Sequence, residues 1–597
     1  MKNKAFFLLI LALGFILRIY GINWDNGFHL HPDERMLIMV ADRLHFFNQL
    51  NPDFFNYGSL PVYLLKGVTQ LVDLLFGSHF SNYNGMLYAG RMLSIVFDLM
   101  TICLVYKICL LLFNRDSRLA LFSSFFYAIA FFPIQNSHFF VVDVFLTTFV
   151  TFLFYLLLHY LSHDRGIDNN YRWRLIVLIG VIFAAMMATK VTAIIFFPII
   201  ILALLIFNSR PVANLFCFGV SFLTFNFLFM PYAFIEHKRF LSDVLAQIRM
   251  NSDPYIFPYT LQYVGTIPYL YYLKNIFWWG LGPIISILSL VGFLSVLYQI
   301  RTHGVILSEA KDLVPTLRRG VIKHFTRFFP RQRRGQNDVR YFLFFIFYFL
   351  YFIIIGRSAV KFMRYMLPIY PFLAIMAGFG LHQVQKMSFL PRQRRGKLQQ
   401  ESIKYYHWIP TFVGMTLAMI WTLLFVNIYS QKHTRIAATE WILENIPAGS
   451  TLAVEHWDDR VPLFDNGRYK YVELPLYERP DDWVKWSALV NPRIEQADYI
   501  IIASNRLYVP LQKLADCQKY KSCYPKTAEY YRKLFNSLPV IPTTTKVGGG
   551  ISYKKVAEFV VYPTLDVLRY TFHVNDQSAD ESFTVYDHPK AMVFKKI

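Results

Sequence analysis

Eleven apolar runs constrain this chain more than anything else in it. They lie at about 5–22, 92–113, 118–133, 139–161, 174–189, 190–208, 211–231, 280–300, 340–356, 364–385 and 408–429. Several approach the twenty or so residues that cross a hydrocarbon core of about 30 Å. Inside such a core every backbone polar group must be paired within the chain, so these runs are expected to be helices. The stretch 174–208 is too long for one straight span and carries Lys190 in its middle. A central Lys is costly in lipid, so the stretch reads as two short helices turning at Thr189 and Lys190. The expectation is a mainly α, polytopic membrane protein with about eleven transmembrane helices. The first run is not read as a cleaved signal peptide, because no small-residue cleavage pattern follows it and further spans do. The run 60–77 is different: Lys66, Gln70 and Asp73 share one helical face opposite Leu and Val, the pattern of a helix lying in the interface.

Composition supports the membrane and excludes a soluble nucleic-acid binder. The net charge is +22, yet hydrophobic residues are 55% and charged residues 16% of the 597. Membrane proteins concentrate Lys and Arg in cytoplasmic loops. Segment 301–340 holds ten Lys/Arg against three acids, and 386–404 holds six against one. Both flank the hairpin 340–385, so both are expected inside, with the N-terminus. Segment 23–91, the Thr189-Lys190 turn, 232–279, 357–363 and everything after 430 are then expected outside. The localisation implied is a multi-pass protein of the cytoplasmic membrane. Loops 301–340 and 386–404 both contain PRQRRG, at 330–335 and 391–396, and read as basic cytoplasmic insertions.

After residue 430 charges and apolar residues alternate. Strand-like TLAVEHW, ADYIIIAS, FVVY and AMVFKKI are interleaved with helix-like TRIAATEWILENI and AEYYRKLFNSL. Two domains are expected: 1–430 in the membrane, with an outer loop at 23–91, and a mixed α/β extracytoplasmic domain at 431–597. Cys517 and Cys523 lie in the second; a disulfide or two free thiols would both fit an oxidising exterior.

Chemistry in such a chain is best sought where ionisable groups sit beside apolar spans. Asp33 and Glu34 in HLHPDER form an acidic corner suited to base catalysis, or simply a helix start, where Pro and acids are favoured. Asp143, with His138 before it, lies about one turn into a span. Lys190 sits at an outer turn, where snorkelling is the plain alternative. Arg357, Lys361 and Arg364 fall on an outer hairpin, and Arg91 opens the second span from outside. Outer carboxylates suit base chemistry on a hydroxyl, and outer cations suit a phosphate. Together they suggest group transfer from a phosphate-bearing lipid.

These residues fall within LRIYGINW, HPDE, FFNYGSLPVYLL (54–65), GRMLSIVFD (90–98), SHFFVVD, ATKVTA and RYMLPIYPFLAI (364–375). In that order they resemble the GT-C membrane glycosyltransferases, in the branch of protein O-mannosyltransferases and the lipid A aminoarabinose transferase. The likeness is nearest to bacterial phospholipid-carrier-dependent members. The resemblance implies a polyprenyl-phosphate sugar donor, an acceptor lipid, glycan or protein, and inversion at the anomeric carbon. It implies Asp33, Glu34 and Asp143 as catalytic residues, and Lys190, Arg364, Arg91 and Arg35 around the donor phosphate. His31, His138, Tyr57 and Tyr365 are the candidates for holding substrate. Arg35 follows the acidic pair directly, where the aminoarabinose branch leaves a gap of one residue. No cofactor is required, although a divalent metal on Asp33, Asp143 and His31 is left open. Rival readings are a metal enzyme built on His29, His31, Asp33 and Glu34, and a transporter or flippase for a lipid-linked sugar.

Overall fold

The computed structural model describes residues 2–162, 169–206, 211–302, 333–387, 408–541, 550–567 and 569–597. Most of both basic insertions lies outside these residues. Up to residue 430 the described chain is almost entirely helical. It opens with α1 (Lys2–Ile19), α2 (Pro32–Asp42), α3 (Leu60–Phe76) and α4 (Tyr83–Leu112), followed by α5 (Ser117–Ala128), α6 (Phe131–Ser137), α7 (Val142–Ser162) and α8 (Asn169–Met187). Each of the eleven apolar runs is helical over most of its length. Among the described residues, however, six helices are long and apolar enough to cross a membrane. The count is seven if α5 and α6, bent by 55°, form one span. Three further apolar helices, Val191–Leu205, Pro283–Tyr298 and Arg340–Gly356, are shorter. The expected eleven is therefore higher than length and apolarity support. Helix α1, for example, carries Lys2, Lys4 and Arg18 within its eighteen residues.

Arg18 explains how a charged helix joins the bundle. It is fully buried, pairs with Asp98 of α4 at 2.6 Å and donates to Ala128 O at 2.9 Å. Tyr127 donates to the other Asp98 oxygen at 2.6 Å. One paired charge thus ties α1, α4 and α5 together, the condition under which buried charge is tolerated. Helix α3 spends its polar face on its own loops: Lys66 donates to Ser81 O, Gln70 accepts from Phe46 N, and Asp73 accepts from Phe80 N and Ser81 N. Its opposite side leaves Leu71, Leu74, Leu75 and Phe76 exposed.

Beyond Ser430 the architecture changes to a five-stranded sheet of order β2-β1-β3-β7-β4. The strands are β1 (Thr451–Glu455), β2 (Lys470–Leu474), β3 (Tyr499–Ile502), β4 (Tyr553–Phe559) and β7 (Ala591–Lys596). β5 (Thr564–Val567) and β6 (Tyr570–His573) form a separate hairpin. β1 pairs in parallel with β2 and β3, whereas β7 runs antiparallel. Alternation sorts the side chains: Leu452, Val454 and Ile501 face helix Thr434–Asn445, and Ala453, Ile500 and Ile502 face Trp486, Leu511 and Tyr531. FVVY is not a strand as expected. Pairing with β7 ends at Phe559, and Pro563 follows, which cannot donate to a ladder. Cys517 and Cys523 are joined in a disulfide.

The last segment returns to the bundle. Phe583 is buried among Phe131, Phe132, Trp279 and Phe425, and its carbonyl accepts from Gln135 at 2.8 Å. His588 bridges Asp576 and Asp587, which together raise its pKa to about 10 against the opposing effect of burial. Asp587 also accepts from Tyr429 at 2.9 Å. This buried network holds the sheet region against the end of the spans.

Candidate active site

Four charged side chains from four elements meet in one row. Asp33 lies in the first turn of α2, Asp143 in the first turn of α7, Lys190 at the break after α8, and Arg364 in the turn Met363–Ile369. Arg364 contacts Asp33 through Nη1, and its Nε lies 3.7 Å from Asp143 Oδ2. Lys190 Nζ donates to Asp143 Oδ1 at 2.7 Å. The order is Asp33, Arg364, Asp143, Lys190, with charge alternating. Asp33 is the most open, its side chain 27% exposed, and Arg364 Nε is buried without a partner.

Local sequence explains each placement. His31 caps α2, its Nδ1 accepting from Glu34 N at 3.3 Å, and Pro32 starts the helix. Burial, helped by Arg364 and Arg91, holds His31 well below the ordinary imidazole range, so it stays the neutral acceptor a cap needs. Lys190 does not snorkel; it turns inward to Asp143. Gly58 lets the 54–60 loop lie backbone to backbone on the break after α8. Its N–H donates to Thr189 O at 3.1 Å, Leu60 N donates to Ala188 O at 2.9 Å, and a Cβ there would collide with the Ala188 carbonyl. That contact seats Tyr57 beside the row, where burial and Asp33 push its phenol pKa well up. Tyr365 offers its ring to Lys190, 4.3 Å from Nζ, and donates to Asn251 at 3.1 Å.

Several expected site residues are elsewhere. Successive helical residues point about 100° apart, so Glu34 turns away from Asp33. It meets Arg91, which donates to both Glu34 oxygens at 3.0 and 2.8 Å and to both Asp25 oxygens at 3.0 and 2.9 Å. All three side chains are 0% exposed. This second cluster has no open face for a phosphate or a base, which corrects the roles expected of Glu34 and Arg91. Arg35 pairs with Asp459 of the sheet region at 3.0 Å rather than joining the row. His138 is buried against Tyr429, with both ring nitrogens on backbone carbonyls, of Ile134 and Tyr20. Lys361 is buried, donating to Ala359 O.

The metal readings do not fit this arrangement. His29 stacks on Tyr83, His31 caps the helix, Asp33 faces Arg364 and Glu34 faces Arg91, so the four groups diverge. Asp33 and Asp143 have a guanidinium between them. Among the described residues no three His, Cys, Asp or Glu side chains gather in a way that could hold an ion.

Residues the sequence did not single out complete the site from the C-terminal region. Tyr586 packs on His31 with ring centroids 4.0 Å apart. Arg506 pairs with Glu581 at 2.8 Å and approaches Asp458 at 3.9 Å. From the middle of the chain, Tyr259, its phenol pushed up to about 12 by burial and then by Asp33, meets Phe362 next to Arg364. In a polar region charges and tyrosines are ordinary, so nothing in their spacing marks them.

Residues 75–234, which include Asp143 and Lys190, match the family described as dolichyl-phosphate-mannose-protein mannosyltransferase. The matched segment is thus similar to a glycosyltransferase family. No curated protein sequence matches the chain. Among solved structures it is similar to ArnT from Cupriavidus metallidurans bound to undecaprenyl phosphate, at 13% identity and a TM-score of 0.43, covering 85% of this chain and 94% of that one. It is also similar to the Archaeoglobus fulgidus oligosaccharyltransferase AglB in complex with an inhibitory peptide and a dolichol-phosphate, at 12% identity and TM-score 0.47, covering 84% and 69%. The S. cerevisiae Pmt1-Pmt2 complex bound to the sugar donor is a shorter likeness, at 16% identity and TM-score 0.30, covering 40% and 34%.

Proposed function

We propose that this protein is a GT-C glycosyltransferase that moves a sugar from a polyprenyl-phosphate donor to an acceptor hydroxyl at the outer face of the cytoplasmic membrane, with inversion at C1. The observation that carries the reading is the alternating row of Asp33, Arg364, Asp143 and Lys190, open at Asp33. Asp33 takes the proton of the acceptor hydroxyl as its oxygen attacks C1. The bond from C1 to the phosphate oxygen breaks, and the electron pair leaves on the lipid phosphate. Arg364 and Lys190 stabilise that charge, the kind of electrostatic contribution that is usually the largest single one in catalysis. Asp143 holds both cations, Lys190 at 2.7 Å and Arg364 Nε at 3.7 Å. Arg364 pairs with Asp33; donor phosphate competes for Arg364 and so frees the carboxylate to act as base. Membrane lipids surround the spans, and the C-terminal α/β region (431–597) forms an extracytoplasmic domain roofing the site. The charge of loops 301–340 and 386–404 supports a cytoplasmic N-terminus and an outer C-terminus.

The test is transfer in vitro from a polyprenyl-phosphate sugar by the purified full chain. Asp33→Asn is expected to lower the rate by about 10²–10⁴-fold, the usual scale of a general base. An Asp33→Asn chain that transfers at the original rate rules the assignment out.

A further inference from the structure

An aromatic row runs from the charged row into the C-terminal region: the Arg364 guanidinium, which pairs with Asp33, lies over Phe362 at 5.1 Å, and Phe362 meets Tyr259 at 6.2 Å. Tyr259 stacks on Phe257 with ring centroids 5.2 Å apart and planes 6° from parallel. Phe257 meets Trp457 at 6.4 Å, and Trp457 meets Tyr477 at 6.0 Å. Beyond Phe362 the rings come from two distant stretches of chain: Phe257 and Tyr259 from the loop before the spans resume, Trp457 and Tyr477 from the loops after β1 and β2. The tyrosine end is fixed, since Tyr477 OH donates to Tyr255 O and Ile256 O.

Trp457 is the unusual member. It is 42% exposed, although Trp is normally among the more buried residues, and its backbone is left-handed, with φ +80°. A non-glycine residue is costly in that conformation, and such outliers concentrate at ligand sites. Polar groups line the same rim. His456 Nδ1 lies 3.0 Å from exposed Glu473, its Nε2 lies 3.8 Å from Glu478, and a buried Glu478 oxygen has no partner.

We propose that this row binds the sugar rings of a neutral carbohydrate acceptor and delivers its hydroxyl to Asp33. A sugar ring presents an apolar C–H face, which stacks on an aromatic ring, and a girdle of hydroxyls, which bond to carboxylates and imidazole. The row offers both, with His456 beside Trp457, and it ends at Phe362 beneath Arg364, the partner of Asp33. Glu473 and Glu478 at the rim disfavour an anionic acceptor. The name acceptor rests on the transfer reading; the binding does not.

The test uses the labelled, detergent-solubilised full chain, without donor, on an array of neutral oligosaccharides, anionic glycolipid headgroups and peptides. Retention on neutral oligosaccharides is expected, at least tenfold weaker for Trp457→Ala and for Phe257→Ala. Trp457→Tyr, which keeps an aromatic face, is expected to bind, and thermal unfolding checks that all three variants fold. The proposal is overturned if no neutral oligosaccharide is retained, if only anionic or peptide spots are, or if a folded Trp457→Ala chain binds as before. Because no donor is present, loss of binding and loss of transfer are separate results.

Discussion

Two clusters of like composition lie side by side, built partly from neighbouring residues. Asp25, Glu34 and Arg91 form one; Asp33, Asp143, Arg364 and Lys190 form the other. In the first, Arg91 satisfies both carboxylates through five hydrogen bonds, counting one to Ile22 O, and nothing is exposed. In the second, two cations share two carboxylates with one guanidinium nitrogen unpartnered and Asp33 partly open. A saturated, sealed ion cluster organises the fold. An unsaturated, open one can exchange its partners for a substrate. The same residue types at adjacent positions thus serve opposite ends, and the 100° step of α2 between Asp33 and Glu34 separates them.

The largest effect is expected from breaking the sealed cluster. Arg91→Met leaves two uncompensated buried carboxylates, a loss of about 3–5 kcal/mol, read as a lowered Tm of the solubilised chain. In the open cluster, Lys190→Ala should leave Tm nearly unchanged. It should instead raise the donor KM by roughly 10–100-fold, the scale of one charge-assisted hydrogen bond of about 1.5–3 kcal/mol. If Lys190→Ala unfolds the chain while Arg91→Met spares it, the two clusters have been assigned the wrong way round.

Smaller effects sharpen the contrast between the site and the sheet region. Glu455, at the end of β1, is buried and accepts from Tyr531; burial lifts its carboxyl to about 8, far above an unfolded value near 4.5. The folded state therefore holds the proton more tightly, so stability should fall by a few degrees of Tm as pH rises from about 5 to 8 and then level off. Glu455→Gln should flatten that slope without affecting transfer. Arg35→Ala removes a half-exposed pair with Asp459 and should change stability by about 0–1 kcal/mol.

What the sequence made legible follows from dielectric contrast. Asp143, Lys190 and Arg364 stand out because their neighbours are apolar, and all three sit in the row. Asp33 shares its helix start with Glu34, and composition cannot say which of two adjacent acids faces the site; only the register of α2 against α4 decides. Arg91 looked available because its partners, Asp25 and Glu34, lie some sixty residues away. Tyr586, Arg506 and Trp457 had no contrast to mark them, since they come from a region where polar and aromatic residues alternate freely. The helices were legible from apolar runs, but the number crossing the membrane was not, because a helix such as α1 hides Arg18 by pairing it with Asp98. The β5–β6 hairpin and β2 lay in segments whose alternation is short.

Adjacent carboxylates give the most direct comparison of the two clusters. Asp33→Asn and Glu34→Gln are measured in one preparation for transfer from a polyprenyl-phosphate sugar and for Tm. Asp33→Asn is expected to lose transfer by about 10²–10⁴-fold while keeping its Tm, and Glu34→Gln to lose Tm first. Undiminished transfer by Asp33→Asn, or loss of transfer at unchanged Tm in Glu34→Gln alone, would contradict this assignment of the two clusters.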